Sequence, residues 1–322
     1  MKKILIIRFS SIGDIVLTTP VARCLKVQLN AEVHYLTKKG FRQVLEANPY
    51  IHKIHTIEKR VGEVLADLKK EGFDYIIDLH RNLRSAQVKL LLRKPSRSFD
   101  KLNWEKWLMV RFKLNRLPAV HIVDRYLATV RHLGVVNDGK GLDYFIPTVQ
   151  EVNPATLLGD APKPYIAFVI GAAHATKRLP APKIIAICQK IKHPIILLGG
   201  PEEAEIGQAI ADAAGPHTIN SCGQLRLHQS ASIVRQAWKV ITHDTGLMHI
   251  AAAFQKEIIS VWGNTIPEFG MAPYYSEGVN LNTSLQVQGL SCRPCSKIGH
   301  QTCPQGHFKC MLDQAETFAE QL

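Results

Sequence analysis

One stretch limits the choice of fold more than any other: Val240-Ile241-Thr242-His243-Asp244-Thr245-Gly246-Leu247-Met248-His249, followed by Ala251, Ala252 and Ala253. A β-branched run leads into an Asp-Thr-Gly turn, and small residues then open a helix. In such a turn the Asp suits the cap, the Gly lets a ligand approach the backbone, and the free N–H groups of the first turn point outward. A strand end of this kind is a ready site for a diphosphate. Alone the pattern is common, because many α/β proteins cap a helix this way. A comparable strand end opens the chain, where Ile4-Leu5-Ile6-Ile7 runs into Arg8-Phe9-Ser10-Ser11-Ile12-Gly13-Asp14.

Between these two points strand and helix patterns alternate. Residues 3–7, 32–36, 51–57 and 75–79 read as buried strands, and so do 165–170, 194–198, 217–219, 240–242 and 258–262. The helix after Asp14 carries Ile15, Leu17, Val21, Ala22 and Leu25, with a bend expected at Pro20. A second helix is predicted over 121–133, ending at Gly134. From Val136 to Pro164 the chain holds Gly139, Gly141, Pro147, Pro154, Gly159, Pro162 and Pro164. That passage predicts a linker, dividing the chain into domains 1–150 and 151–322.

Short βα connections build right-handed crossovers and parallel sheets, whose ligands bind beyond the carboxyl ends of the strands. Arg8–Asp14, Gly171–Lys177, Gly199–Glu203 and Asp244–His249 all fall at such ends. The expected architecture is α/β, with two doubly wound Rossmann-like domains facing a central cleft that holds the active site.

Composition agrees with a globular chain: 322 residues, 46% hydrophobic and 21% charged. Arg8 interrupts the first apolar run too early for a signal peptide, and no stretch reaches the roughly 20 apolar residues of a membrane span. A cytoplasmic location with reduced cysteines is therefore expected. The net charge of +13 is concentrated between Arg81 and Arg116, where Arg84, Lys89, Arg93, Lys94, Arg97, Lys101, Lys106, Arg111 and Lys113 face only Asp100 and Glu105. Trp104, Trp107, Leu108 and Arg111 share one helical face. Such a helix suits an anionic membrane surface or an acidic amphiphilic acceptor. It equally suits a solvated basic face whose tryptophans fill the core. Nucleic acid ranks last, since no zinc-finger or RNA-recognition signature accompanies the charge.

Three blocks carry a family resemblance: Ser11-Ile12-Gly13-Asp14, Gly171-Ala172-Ala173-His174-Ala175-Thr176-Lys177-Arg178-Leu179-Pro180, and Asp244-Thr245-Gly246-Leu247-Met248-His249. In order and separation they resemble glycosyltransferase family 9, the ADP-heptose:lipopolysaccharide heptosyltransferases, over nearly the whole chain. The resemblance implies the GT-B fold. It also implies inverting transfer of heptose from ADP-heptose to a lipopolysaccharide core acceptor, with no metal required, on the cytoplasmic face of the inner membrane.

Residue by residue, the resemblance makes Asp14 the base for the acceptor hydroxyl and Lys177 the phosphate-binding cation. From the residues alone, Ser10, Ser11 and Asp14 also suit a helix start. Donor contacts are expected at Ala172, Ala173, Lys177, Glu203, Leu225, Asp244, Thr245, Gly246 and His249, with Glu202 as an alternative to Glu203. Ala172 and Ala173 depart from the family, which often carries hydroxyl residues there. Asp244 would repel phosphates, so it is expected to cap the helix or to bind sugar hydroxyls.

On the acceptor side the resemblance points to Ser11, Gly13, Arg81 and Arg84. The two arginines follow Asp78-Leu79-His80 and suit the carboxylates or phosphates of a lipid A–Kdo core. Exposed arginines at a helix N-terminus are the plainer reading of the pair.

Cys292, Cys295, Cys303 and Cys310, with His300 and His307 between them, form the one metal-like constellation, opened by a C-x-x-C pair. A structural zinc there competes with reduced thiols or a bridge formed on purification, and the thiols are favoured. Cys24, Cys188 and Cys222 read as small core residues. Two other functions stay open: a transferase using another nucleotide-sugar, and a non-catalytic protein that binds nucleotide or acidic glycolipid. The pairing of Asp14 with Lys177 favours an enzyme, because a pure binder has no need of a base.

Overall fold

The computed structural model describes residues 1–159 and 164–322, so Pro162 of the expected linker lies outside the described residues. Two compact units emerge. The first comprises Met1–Leu102, Val120–Phe145 and Tyr274–Gly278; the second comprises Asn103–Ala119, Ile146–Pro273 and Val279–Leu322.

In the first unit β1 (Lys3–Ile7), β2 (Glu32–Lys38), β3 (Lys53–Ile57), β4 (Tyr75–Asp78) and β5 (Ser96–Ser98) form one parallel sheet in the order β3-β2-β1-β4-β5. The helices are α1 (Ile12–Val16), α2 (Thr19–Leu29), α3 (Gly62–Glu71) and α4 (Leu83–Leu92). Next in sequence, α5 (Asn103–Phe112) clusters with the second unit, and α6 (Ile122–Leu127) returns to the first. Ile4, Leu5, Ile6 and Ile7 are all fully buried, because a parallel sheet covered on both faces wants apolar side chains on each. Leu5, Ile7, Leu36 and Ile57 pack with Val64 and Leu68 of α3 and with Phe73.

Two helix expectations need correction. Pro20 does not bend a helix; it sits in the first turn of α2, where its missing N–H costs nothing. The chain breaks before it, as Thr18 Oγ donates back to Ile15 O at 2.6 Å. The helix predicted over 121–133 stops at Leu127, and a separate 3-10 turn covers Arg131–Leu133. Thr129 Oγ bonds back to Tyr126 O at 2.6 Å in the interval.

In the second unit β6 (Ile166–Val169), β7 (Ile195–Leu198), β8 (Thr218–Asn220), β9 (Lys239–His243), β10 (Glu257–Trp262) and β11 (Asn282–Gln286) form a parallel sheet in the order β11-β10-β9-β6-β7-β8. Its helices are α7 (Ala155–Leu158), α8 (Ala181–Lys190), α9 (Ala204–Ala214), α10 (Leu227–Gln236), α11 (Gly246–Ala253) and α12 (Lys309–Leu312). Both sheets are doubly wound. Strand order reverses between β1 and β4 in one and between β6 and β9 in the other, and ligands bind at such switch points. Among the described residues no helix is long and apolar enough to cross a membrane.

Candidate active site

At the first switch point the chain leaves β1 through Arg8. This arginine is the one charge on an otherwise apolar strand end, and it is nearly buried. Its Nη1 donates to Leu79 O at 2.7 Å and to Tyr126 Oη at 3.0 Å, while Nε donates to Ser10 O at 2.7 Å. The remaining Nη2 meets Asp14 Oδ1 at 2.6 Å. Burial works against the Arg8 charge, and the Asp14 carboxylate more than restores it, holding the guanidinium above its ordinary range. Asp14 Oδ2 accepts from Ser11 Oγ at 2.8 Å and from Ser11 N at 3.3 Å. The carboxylate thus closes the first turn of α1 and also stands, part-exposed, at the strand end. Gly13 is buried within α1 and Ser11 is exposed at its cap.

Asp78, fully buried at the end of β4, organises the neighbouring loop. It accepts from His80 N and Arg81 N through Oδ1, and from Ser85 Oγ through Oδ2, with Lys89 Nζ at 3.0 Å. Burial would raise its pKa, but the Arg81 amide, Lys89 and Ser85 outweigh it and hold it low. Arg84 consequently lies over the Phe9 ring, with its guanidinium carbon 6.0 Å from the centroid. Arg81 reaches back to Asp100 at 3.0 Å and to Phe99 O at 3.2 Å, leaving it exposed at the loop surface. The sequence reading gave no role to His80, whose ring packs edge-on against Phe9 at 5.1 Å. Burial and then Arg8 push it down to about 4, so it is neutral, and its buried Nδ1 has no hydrogen-bond partner among the described residues.

At the second switch point the loop after β6 carries Ala172, Ala173 and a 3-10 turn, Ala175–Lys177. Lys177 Nζ pairs with Asp244 Oδ2 at 2.5 Å, and Thr265 Oγ donates to the same oxygen at 3.1 Å. The capping expectation for Asp244 is therefore corrected: Thr245 occupies the N-cap of α11, and the Asp244 carboxylate turns to the lysine. Gly246 opens α11 and His249 is buried one turn on. His243, buried at the end of β9, accepts from Leu179 N through Nε2 at 3.0 Å and so fixes the far end of the loop. Burial pushes it down to about 4, which keeps that nitrogen an acceptor.

Glu203 is buried rather than open. Its Oε2 accepts from Gly200 N at 2.8 Å, and its Oε1 pairs with Arg178 Nη1 at 3.0 Å. Arg178 Nε also donates to Ala172 O at 2.7 Å, linking the loops after β6 and β7. A Cβ on Gly171 would lie 2.9 Å from the Glu203 carboxylate, so glycine is needed for this approach. Glu202 is exposed beside it, and Leu225 is half-buried in the turn before α10. Arg178 is a second position to which the sequence assigns no role, although it directly follows Lys177.

The cysteine-rich tail braces the same loop. Thr176 and His300 exchange hydrogen bonds, with Thr176 N and His300 O 3.1 Å apart. Gly299, at φ +124°, leaves room for the His174 side chain, whose Cβ a Cβ there would meet at 2.6 Å. Cys295 N donates to Asn264 O, Cys295 Sγ donates to Cys292 O at 3.1 Å, and Cys310 joins the core. Burial pushes the Cys295 thiol up to about 11 and that of Cys310 up to about 12. Among the described residues, the groupings of three ligand atoms close enough to chelate one ion contain no cysteine, Cys303 included. Those groupings give no support to a zinc at Cys292, Cys295, Cys303 and Cys310, the alternative that the sequence does not favour. Cys24, Cys188 and Cys222 are buried, as read from sequence.

The expectation that the tryptophans could fill the core also fails. Trp104 is 64% and Trp107 47% exposed, with their rings stacked at 4.9 Å. Phe112 and Leu114 extend this apolar surface. Lys113 is engaged elsewhere, donating to Cys292 O and Pro294 O of the tail.

The sequence profile of glycosyltransferase family 9 (heptosyltransferase) matches residues 61–304. The chain is 24% identical over 331 aligned residues to lipooligosaccharide heptosyltransferase 2 of Haemophilus influenzae, spanning 93% of this chain and 94% of that one. Among solved structures it is similar to the family 9 glycosyl transferase of Veillonella parvula, with a TM-score of 0.78 and 22% identity, covering 99% and 95% of the two chains. E. coli heptosyltransferase WaaC with ADP-2-deoxy-2-fluoro heptose gives a TM-score of 0.65 at 18% identity, covering 89% and 94%. The fold is that of GT-B glycosyltransferases, with two Rossmann-like domains.

Proposed function

The chain belongs to glycosyltransferase family 9, and on that premise we propose that it is an inverting, metal-independent heptosyltransferase acting from ADP-heptose on a lipopolysaccharide core acceptor. The observation that carries this reading is the meeting of Lys177, Asp244 and the first turn of α11 at the ends of β6 and β9. One ammonium and a helix N-terminus supply about one and a half positive charges to a diphosphate that takes the place of the Asp244 carboxylate, which offsets one of them beforehand. Fixed cations of this kind do the work that Mg²⁺ does elsewhere.

In the proposed reaction Asp14 takes the proton of the acceptor hydroxyl as its oxygen bonds to the anomeric carbon. The bond from that carbon to the diphosphate breaks, and ADP departs with the electron pair toward Lys177 and the α11 amides. A single displacement inverts the anomeric centre. The second unit takes the donor, with Glu203 or Glu202 at the ribose and Ala172, Ala173, Leu225, Thr245 and His249 lining the rest. Ser11, Gly13, Arg81 and Arg84 take the acceptor, and His80 adds an unused polar atom beside them.

The relative named above is a heptosyltransferase, and the E. coli neighbour carries an ADP-heptose analogue; both support the choice of donor. Thermal shift with ADP, UDP, GDP and CMP, followed by turnover of ADP-heptose in EDTA, tests it. Stabilisation by ADP above the others and chelator-resistant turnover are expected. A preference for UDP, or a strict Mg²⁺ requirement, would overturn the corresponding half.

Arg81→Ala and Arg84→Ala are expected to raise the acceptor KM severalfold and leave the donor KM alone, since guanidinium contacts to carboxylate or phosphate act only on the acceptor. An unchanged acceptor KM would return both arginines to the role of an exposed helix start.

We further assign the exposed Trp104, Trp107 and Arg111 surface to peripheral contact with the anionic cytoplasmic face of the inner membrane, where the acceptor lipid resides. The double variant Trp104→Ala/Trp107→Ala should lose most binding to anionic vesicles. Arg111→Gln should weaken it by about 1 kcal/mol, less at high salt. Vesicle binding unaltered by either change would leave this surface without a lipid role.

A further inference from the structure

We propose that Glu32, His34 and His52 form a binding site for a divalent transition-metal cation of the zinc class, at the amino-terminal edge of the first sheet. The site lies at the opposite end of the strands from Asp14 and takes no part in transfer.

The strand geometry builds it. Glu32 and His34 stand two residues apart in β2 and so share one face of the sheet. The β2–β3 register sets Lys53 opposite His34, and His52 N donates to Val33 O at 2.8 Å, which brings the His52 ring alongside. His34 Nε2 lies 2.9 Å from Glu32 Oε1, and His52 Nε2 lies 3.7 Å from the same oxygen. The three ligand atoms fall within 4.8 Å of one another. Two imidazole nitrogens and a carboxylate oxygen suit zinc and its neighbours better than calcium or magnesium, which prefer all-oxygen sets. To reach the roughly 2.0–2.2 Å of zinc–ligand bonds, Glu32 and the exposed His52 would close on the buried His34.

The surroundings supply what such a site requires. His34 is completely buried and packs edge-on against Phe73, so its ring is already placed. Its Nδ1 lies 2.9 Å from His55 Nε2, the outer-shell contact that orients a metal-bound histidine. Burial holds both imidazoles below their ordinary range, His55 to about 4. When a cation takes the lone pair of His34 Nε2, the ring proton resides on Nδ1 and donates to His55. His34 then stays neutral and no charge is stranded. The second close grouping, His34, His55 and Glu71, is used up by that histidine pair and serves as outer shell. The carboxyl end of α3, closed by Gly72 at φ +67°, adds a negative helix end to the same corner.

The groups that face the site include two cations, Lys3 at 3.1 Å from Glu32 and Lys53 at 2.6 Å from Glu71. Their side chains are 35% and 52% exposed, so both can swing into water when a divalent ion arrives. Lys3 is therefore the competitor, and its removal should strengthen binding.

The test is titration of the EDTA-stripped, dialysed full chain with Co²⁺, read by visible absorption, followed by displacement with Zn²⁺ and a melting curve. The expected result is one saturable equivalent with a nitrogen–oxygen spectrum, free of thiolate charge transfer, and a higher Tm with Zn²⁺. His52→Ala, at a position whose side chain is 61% exposed and so dispensable for folding, should weaken binding about tenfold or more, and Glu32→Gln likewise. Lys3→Met should tighten it, and Cys292→Ser/Cys295→Ser should leave it unchanged. The proposal is overturned if the wild type shows no saturable binding. It is equally overturned if His52→Ala binds like wild type, or if binding disappears with the cysteines.

Discussion

Asp14→Asn is expected to lower turnover about 10²–10⁴-fold while ADP affinity stays near that of the wild type. An amide cannot take the proton of the acceptor hydroxyl, and Asp14 lies in the first unit while the proposed donor residues lie in the second. The substitution has a second consequence, because Asp14 is also the counter-ion of Arg8 and part of the first turn of α1. Breaking a buried ion pair costs about 3–5 kcal/mol, and the figure is an upper bound here since the Asp14 side chain is 21% exposed. Melting temperature should therefore fall as well. Arg8→Met/Asp14→Asn removes the stranded charge and should recover much of that stability without recovering turnover. If the double variant regains activity along with stability, Asp14 is a structural cap and another group is the base.

The Arg8–Asp14 contact shows why the strand ends are legible in the sequence while their wiring is not. The apolar runs at Ile4–Ile7 and Ile195–Leu198 announce parallel strands covered on both faces, and β1 matches its expected bounds. The polar edge strands β5, Ser-Arg-Ser, and β11, Asn-Thr-Ser-Leu-Gln, carry no such signal and were missed. An edge strand buries little and is recruited by its hydrogen-bonding neighbour.

The candidate site divides in the same way. Asp244 stands out through the local grammar of strand, turn and helix, whereas Asp14 and Lys177 are singled out by the family resemblance. That Arg178 ties Glu203 to Ala172, or that Arg8 holds Asp14, depends on residues brought together across the sheet, which no spacing reports. Arg8 alone left a trace, as a lone charge at the end of an apolar strand. The Glu32, His34 and His52 grouping left none, because its members are joined by register between strands.

Lys177→Ala should weaken ADP binding by about 1.5–3 kcal/mol, the worth of a charge-assisted contact in a partly desolvated site, or roughly ten- to a hundredfold in Kd. The lysine is not waiting free: without ligand it is paired with Asp244 at 2.5 Å, so a diphosphate must take the place of that carboxylate. The measured loss for Lys177→Ala is then a difference between two ion pairs and should sit toward the lower end of the range. Asp244→Asn isolates the competition. It removes the internal partner and a repelling charge while keeping the shape and a group able to accept from Thr265. ADP should bind this variant as tightly as wild type or more so. Turnover of ADP-heptose should nevertheless fall, since Asp244, once released from Lys177, is the acceptor available to the sugar hydroxyls beside the α11 N-terminus. Calorimetric ADP affinities with kcat for the two variants check both arms. Weaker ADP binding by Asp244→Asn would mean that the carboxylate positions Lys177 for the phosphates rather than competing with them.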